Sequence, residues 1–142
     1  MKKFELTSET KAFFGKTLYR IRALISFGDV SAGDLGGFVE KEENLDQSGN
    51  AWVSGNAMVS GNAWVDKIGA IFWVGAVGSR NDTTTFFKCK DGKVRVTCGC
   101  FFGDLTEFAE KVNETHGDNE HGKVYMLAIE MAKARISLEG ER

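Results

Sequence analysis

With 142 residues and no apolar run near the about 18 that a membrane-spanning helix needs, the chain is long enough for a real core, as one domain or two small lobes, and is expected to be cytosolic. Lys and Arg number 18 against 20 Asp and Glu, a formal net charge of −2, which removes the broad basic footprint of a nucleic-acid or anionic-membrane binder. Proline is absent while glycine numbers 17, so turns fall to Gly, Asn and Asp; three cysteines, Cys89, Cys98 and Cys100, with no secretory leader read as reduced thiols.

In chain order, Glu5 to Gly15 is predicted as a short helix capped by Thr7 or Ser8, with Phe13 and Phe14 toward the core. Thr17 to Leu24 alternates apolar and polar residues and is predicted as a strand that caps the central repeats. Gly28-Asp29 and residues 33–37 are turns.

The middle of the chain holds three tandem hexapeptides: GNAWVS from Gly49, GNAMVS from Gly55 and GNAWVD from Gly61. A six-residue period points to a left-handed parallel β-helix, in which Val53, Val59 and Val65, with Ala51, Ala57 and Ala63, face inward. The glycines supply positive φ at the bends. About 18 residues make one turn of such a coil, so the repeats give one good rung, and residues 36–48, with Val39 and Leu45 in step, an imperfect second. Trp52, Met58 and Trp64 precede the inward valines and point outward on separate faces, to be covered by flanking segments or by another copy of the chain in a homo-oligomer.

After the repeats, Ile68 to Val77 and Thr83 to Cys89 are predicted strands, the first central because Ile71-Phe72-Trp73-Val74 is apolar on both faces. Asp91-Gly92 is a two-residue hairpin signal leading to Val94–Cys98. Asp104 starts a helix carrying Leu105, Phe108, Ala109 and Val112, and Gly117 stops it in the αL conformation. Asp118 or Asn119 caps a second helix with Val124, Leu127, Ala128, Met131 and Ile136 on one side. The expected fold is mainly β with an α+β C-terminal lobe: a lead-in over residues 1–35, a short β-helix over 36–67, and a small meander with two helices over 68–142.

The segments KTLYRIRAL, GDLGGFVEKEENL, GNAWVSGNA, VGSRNDTTTFF, KVRVTCGCFFGDLTEF and THGDNEHGKVY together resemble a group of short phage and prophage proteins of Gram-positive bacteria. Such proteins carry a variable number of β-helix hexapeptides between fixed ends. The resemblance implies a counter-defence role in the host cytoplasm, by binding a host immune signal or a host defence protein.

Enzymes built on hexapeptide repeats place histidines on the repeats, but His116 and His121 both lie beyond them, so no catalytic residue or cofactor is assigned. Cys98 and Cys100 with His116 and His121 are zinc-type ligands, yet a Cys-x-Cys on a strand splays its side chains, and reduced core thiols are the preferred reading. The loop from Gly78 to Thr83 is the candidate ligand site. Arg80 offers a fork for phosphate, Ser79, Asn81 and Thr83 offer donors, and Arg95, Arg20 and Arg22 can add charge if brought together. Phosphate-loop and dinucleotide fingerprints are absent. The expectation is a non-enzymatic protein that sequesters a small anionic nucleotide-type signal, or else blocks a host protein through its aromatic surface, or serves as a structural phage protein.

Overall fold

The computed structural model describes residues 2–78, 82–99 and 101–140, with side chains through residue 136. Among these, the strands are β1 Phe4–Phe13, β2 Lys16–Ala23, β3 Leu35–Val39, β4 Met58–Val59, β5 Ile71–Val77, β6 Asp82–Lys88, β7 Val94–Cys98 and β8 Phe101–Asp104. The helices are α1 Leu105–His116 and α2 Glu120–Gly140. The strands form two four-stranded sheets, β1-β2-β3-β4 and β5-β6-β7-β8, antiparallel throughout except for β3 against β4.

The N-terminal segment predicted as a helix is a strand. Phe13 pairs with Lys16 across a two-residue turn, Phe14-Gly15, in which both residues have positive φ (49° and 75°), the turn that matches strand twist. Thr7, which looked like a helix cap, instead donates from its hydroxyl to the Arg20 carbonyl at 2.8 Å, where the register shifts between Leu6 and Thr10. A side chain that caps a helix in one setting bonds across a bulge in another.

The repeats do not build a parallel β-helix. Their inward residues are as expected, since Ala51, Val53, Ala57, Val59, Ala63 and Val65 are fully buried with Val39 and Leu45, and Gly49, Gly55 and Gly61 take φ of 71°, 60° and 64°. Regular parallel pairing, however, is limited to Phe38 and Val39 against Met58 and Val59, plus an isolated bridge from Leu45 to Val65. A single rung has no further rungs to take up its backbone groups, and buried backbone polar groups must find partners. They find them elsewhere: the Met58 N–H and carbonyl bond threonine hydroxyls of the second sheet, Trp64 N donates to the Lys88 carbonyl, and Lys90 N donates to that of Asn62.

Asn44 and Lys3 complete this join. Asn44 is fully buried and uses all four of its hydrogen-bonding positions, accepting from the N–H groups of Glu40 and Lys41 and donating to the carbonyls of Gly61 and Ala63, each at 3.1 Å. Lys3, 1% exposed, donates to the carbonyls of Ala51 (2.7 Å), Ser48 (3.3 Å) and Gly49 (3.4 Å), and its ammonium lies 4.8 Å from the Phe27 ring centre. Burial pulls the Lys3 ammonium below its ordinary pKa.

The α+β arrangement of the C-terminal half is as expected. Phe86, Val96 and Cys98 pack with Phe108, Val112, Ala128, Ile129, Ala132 and Ile136 of the helices. Phe87, on the opposite face, joins the core of the repeats. The strand buried on both faces is therefore β6, whereas β5 is an edge strand whose Trp73 is half-exposed. Asp104 caps α1 in a reciprocal box with Glu107, at 2.8 and 2.9 Å. Gly117 ends α1 with positive φ but with ψ of −130°, outside αL, and Asn119 caps α2 by accepting from Gly122 N at 2.9 Å. No helix among the described residues is long and apolar enough to cross a membrane.

Candidate functional site

Ser79, Arg80 and Asn81 lie outside the described residues. The flanks of their loop are placed: Val77 pairs with Asp82, and Thr83 lines a cleft of about 220 Å³ together with Lys11, Ala12, Phe13, Asn56, Met58, Asp82 and Gly99. Four parts of the chain meet here, namely the end of β1, the second hexapeptide, the start of β6 and Gly99 just after β7.

Each wall has a local cause. The tight turn at Phe14-Gly15 brings Lys11 to the rim, where its ammonium stands 5.4 Å from the centre of the Phe38 ring. Met58, which also lines the cleft, is held in place because Thr85 Oγ1 accepts from its N–H at 3.0 Å and Thr97 Oγ1 donates to its carbonyl at 2.7 Å. Gly99 also lines the cleft, and the Asp82 carboxylate lies over it in the space that a Cβ would take, so a larger residue there would displace that side chain. The residues that line the cleft carry an ammonium, a carboxylate, an amide and a hydroxyl, groups that together can hydrogen-bond a small polar ligand.

Arg95 is not part of this group. It pairs with Phe87, five residues along β6 from Asp82, a run of about 16 Å at strand rise. Its guanidinium grips Asp91 in a two-pronged pair (3.1 and 3.0 Å) and reaches Asn62 at 3.4 Å. That pair, helped by the Lys93 N–H, holds the Asp91 carboxyl down at about 2. Burial pushes the nearby Cys89 thiol up, against a hydrogen bond to Arg95 that pulls it down. Arg20 and Arg22 are likewise paired, with Glu9 (2.9 Å) and Glu5. Arg20, Arg22 and Arg95 therefore spend their charge on neighbouring carboxylates, and among the described residues that line the cleft the cation is Lys11. Lys11 carried no sequence signal, since its segment was expected to be a helix and the β1–β2 hairpin that places it is a tertiary finding.

The three residues assigned to a subunit interface have different fates. Met58 is 3% exposed and lies between the two sheets of its own chain, so it is not available to a partner. Trp52 is half-buried, edge-on to Phe27 and Phe4 at 5.4 and 6.4 Å between ring centres. Trp64 is 39% exposed, with the Lys88 ammonium 5.1 Å from its ring. His116 and His121 stand 5.4 Å apart between ring centres, with His116 stacked on Tyr125. Among the described residues no three His, Cys, Asp or Glu side chains converge as metal ligands; Cys100 lies outside them.

No protein-family model matches the chain, and no curated protein matches it.

Proposed function

We propose that the protein is a non-enzymatic phage counter-defence protein that captures a small phosphorylated nucleotide signal at the cleft beneath Thr83. The observation that carries this reading is the composition of the cleft walls. The Lys11 ammonium suits a phosphate, while Asn56 and Thr83 donate to its oxygens. Asp82 accepts from ribose hydroxyls or an exocyclic amine, which separates a nucleotide from inorganic phosphate. A space of about 220 Å³ seats one end of such a ligand and leaves the rest against the surface.

The test is mass spectrometry of small molecules released by heat from protein purified out of cells with an active nucleotide-based defence. A nucleotide released unchanged supports capture, and a product of altered mass would point to an enzyme.

Occlusion of a host protein is the second reading. It is favoured by Trp64, Ile68 and Trp73, large apolar side chains that are 39%, 57% and 38% exposed within a short stretch of chain. Co-purification of a host protein without any bound nucleotide would replace the first reading by this one.

A further inference from the structure

Helix α2 is apolar on two sides. The side that meets the second sheet carries Ala128, Ile129, Ala132 and Ile136, all buried. A second stripe, Val124, Leu127 and Met131, recurs at the three-and-four spacing of a helix seam and faces outward, 37%, 65% and 56% exposed. Leu127 also lines an open groove of about 650 Å³ between the helices, together with Val112, Met126, Lys123 and Glu130. The expected core stripe was thus split by the fold: Ala128 and Ile136 went inward, and Val124, Leu127 and Met131 stayed out.

The charges flanking this outer stripe indicate what covers it. Lys123 and Glu130 are exposed and seven residues apart, so they occupy equivalent places on one flank of the seam. If two copies of α2 pack antiparallel about a two-fold axis at Leu127, Val124 of each meets Met131 of the other. Lys123 of each then faces Glu130 of the other, twice over. The helix is self-complementary in that one direction. Among the described residues Glu130 makes an exposed ion pair with Lys133 at 3.6 Å, which is weak and easily exchanged.

We propose that the outer face of α2 is a two-fold interface with a second copy of this chain, α2 packing antiparallel on α2 with Leu127 at the axis. This stands apart from the ligand reading, because the stripe is formed by α2 alone and shares no residue with the cleft.

Light scattering across a concentration series, with circular dichroism to verify folding, tests it. The unaltered protein is expected to be a dimer. Leu127→Glu, at an exposed position, should stay folded and weaken the dimer by about a hundredfold or more, since it sets two carboxylates against each other in an apolar seam. Lys123→Glu alone should weaken it about tenfold, and combining it with Glu130→Lys should restore it, because the exchange regenerates the opposite-charge pairs only in the antiparallel arrangement. A monomer at every concentration overturns the proposal, as does a dimer indifferent to Leu127→Glu or one dissociated only by Trp64→Ser. A one-to-one complex with a host protein that Leu127→Glu abolishes would assign the face to that partner instead.

Discussion

Thr85 and Thr97 stand directly opposite each other on β6 and β7, and their hydroxyls hold Met58 by both of its backbone polar groups. Two side chains thereby do what a neighbouring strand would do for the second hexapeptide. Both threonines are fully buried, so neither hydroxyl can be replaced by water. Replacing either with valine keeps the shape but orphans a buried N–H or C=O of Met58, which costs about 1–3 kcal/mol. Urea unfolding should show Thr85→Val and Thr97→Val each losing stability by that amount, with serine at either position losing less. Unchanged midpoints for both valine variants would mean that the threonine hydroxyls add nothing to the join between the sheets.

Asn44 makes a sharper prediction. Its amide donates to two carbonyls and its oxygen accepts from two N–H groups, so Asn44→Asp keeps the acceptor and turns the donors into a carboxylate facing the Gly61 and Ala63 carbonyls. A buried carboxylate aimed at carbonyl oxygens is worse than a small cavity. Asn44→Asp should destabilise at pH 7 by several kcal/mol on the scale of a broken buried pair, more than Asn44→Ala, and should recover partly at acid pH. Equal stability of the aspartate variant and the parent would contradict the buried placement.

The pH dependence of the β6–β7 hairpin comes from Asp91. Its carboxyl is lowered from an ordinary 3.8 to about 2 in the fold, first by Arg95 and then by the Lys93 N–H. A carboxylate whose pKa is depressed on folding stabilises the fold above its unfolded value, and that contribution disappears as pH falls from about 4 to about 2. Carboxyl NMR should place the Asp91 midpoint near the lower figure, and Arg95→Gln should return it toward the ordinary range. A midpoint unmoved by Arg95→Gln would show that the two-pronged pair does not form in solution.

Ligand retention should divide the candidate residues in two. Lys11→Gln and Thr83→Val remove contacts at the cleft, and a lost charge-assisted hydrogen bond is worth roughly 1.5–3 kcal/mol, about tenfold to a hundredfold in affinity. Arg95→Gln should leave affinity unchanged, because that guanidinium is committed to Asp91 at the far end of the sheet. Titration of the released nucleotide into each variant measures this. Loss of binding in Arg95→Gln with retention in Lys11→Gln would move the site to the other end of β6.

What the sequence by itself determined is what neighbours in the chain decide. The alternation of Ala51, Val53, Ala57, Val59, Ala63 and Val65 set their inward side, because side-chain direction in extended backbone depends only on position along the chain. The Asp104 cap and the place of the turn at Asp91-Gly92 were legible for the same reason, being local bonds between residues two or three apart, although the loop closes between Cys89 and Lys93 over three residues and not two. Tertiary structure decided every question of partnership. A run such as Phe4–Phe13 can be helix or strand, and pairing with β2 made it a strand. A hexapeptide repeat extends into a coil only when further rungs stack on it, and here the threonines of another sheet took up the Met58 backbone instead. Helix α2, apolar on two sides, has a periodicity that does not choose between them, and the second sheet chose Ile129 and Ala132 while leaving Leu127 outside. The cleft was hidden from the sequence because Lys11, Asn56 and Thr83 come from three distant segments that meet only once the sheets are joined.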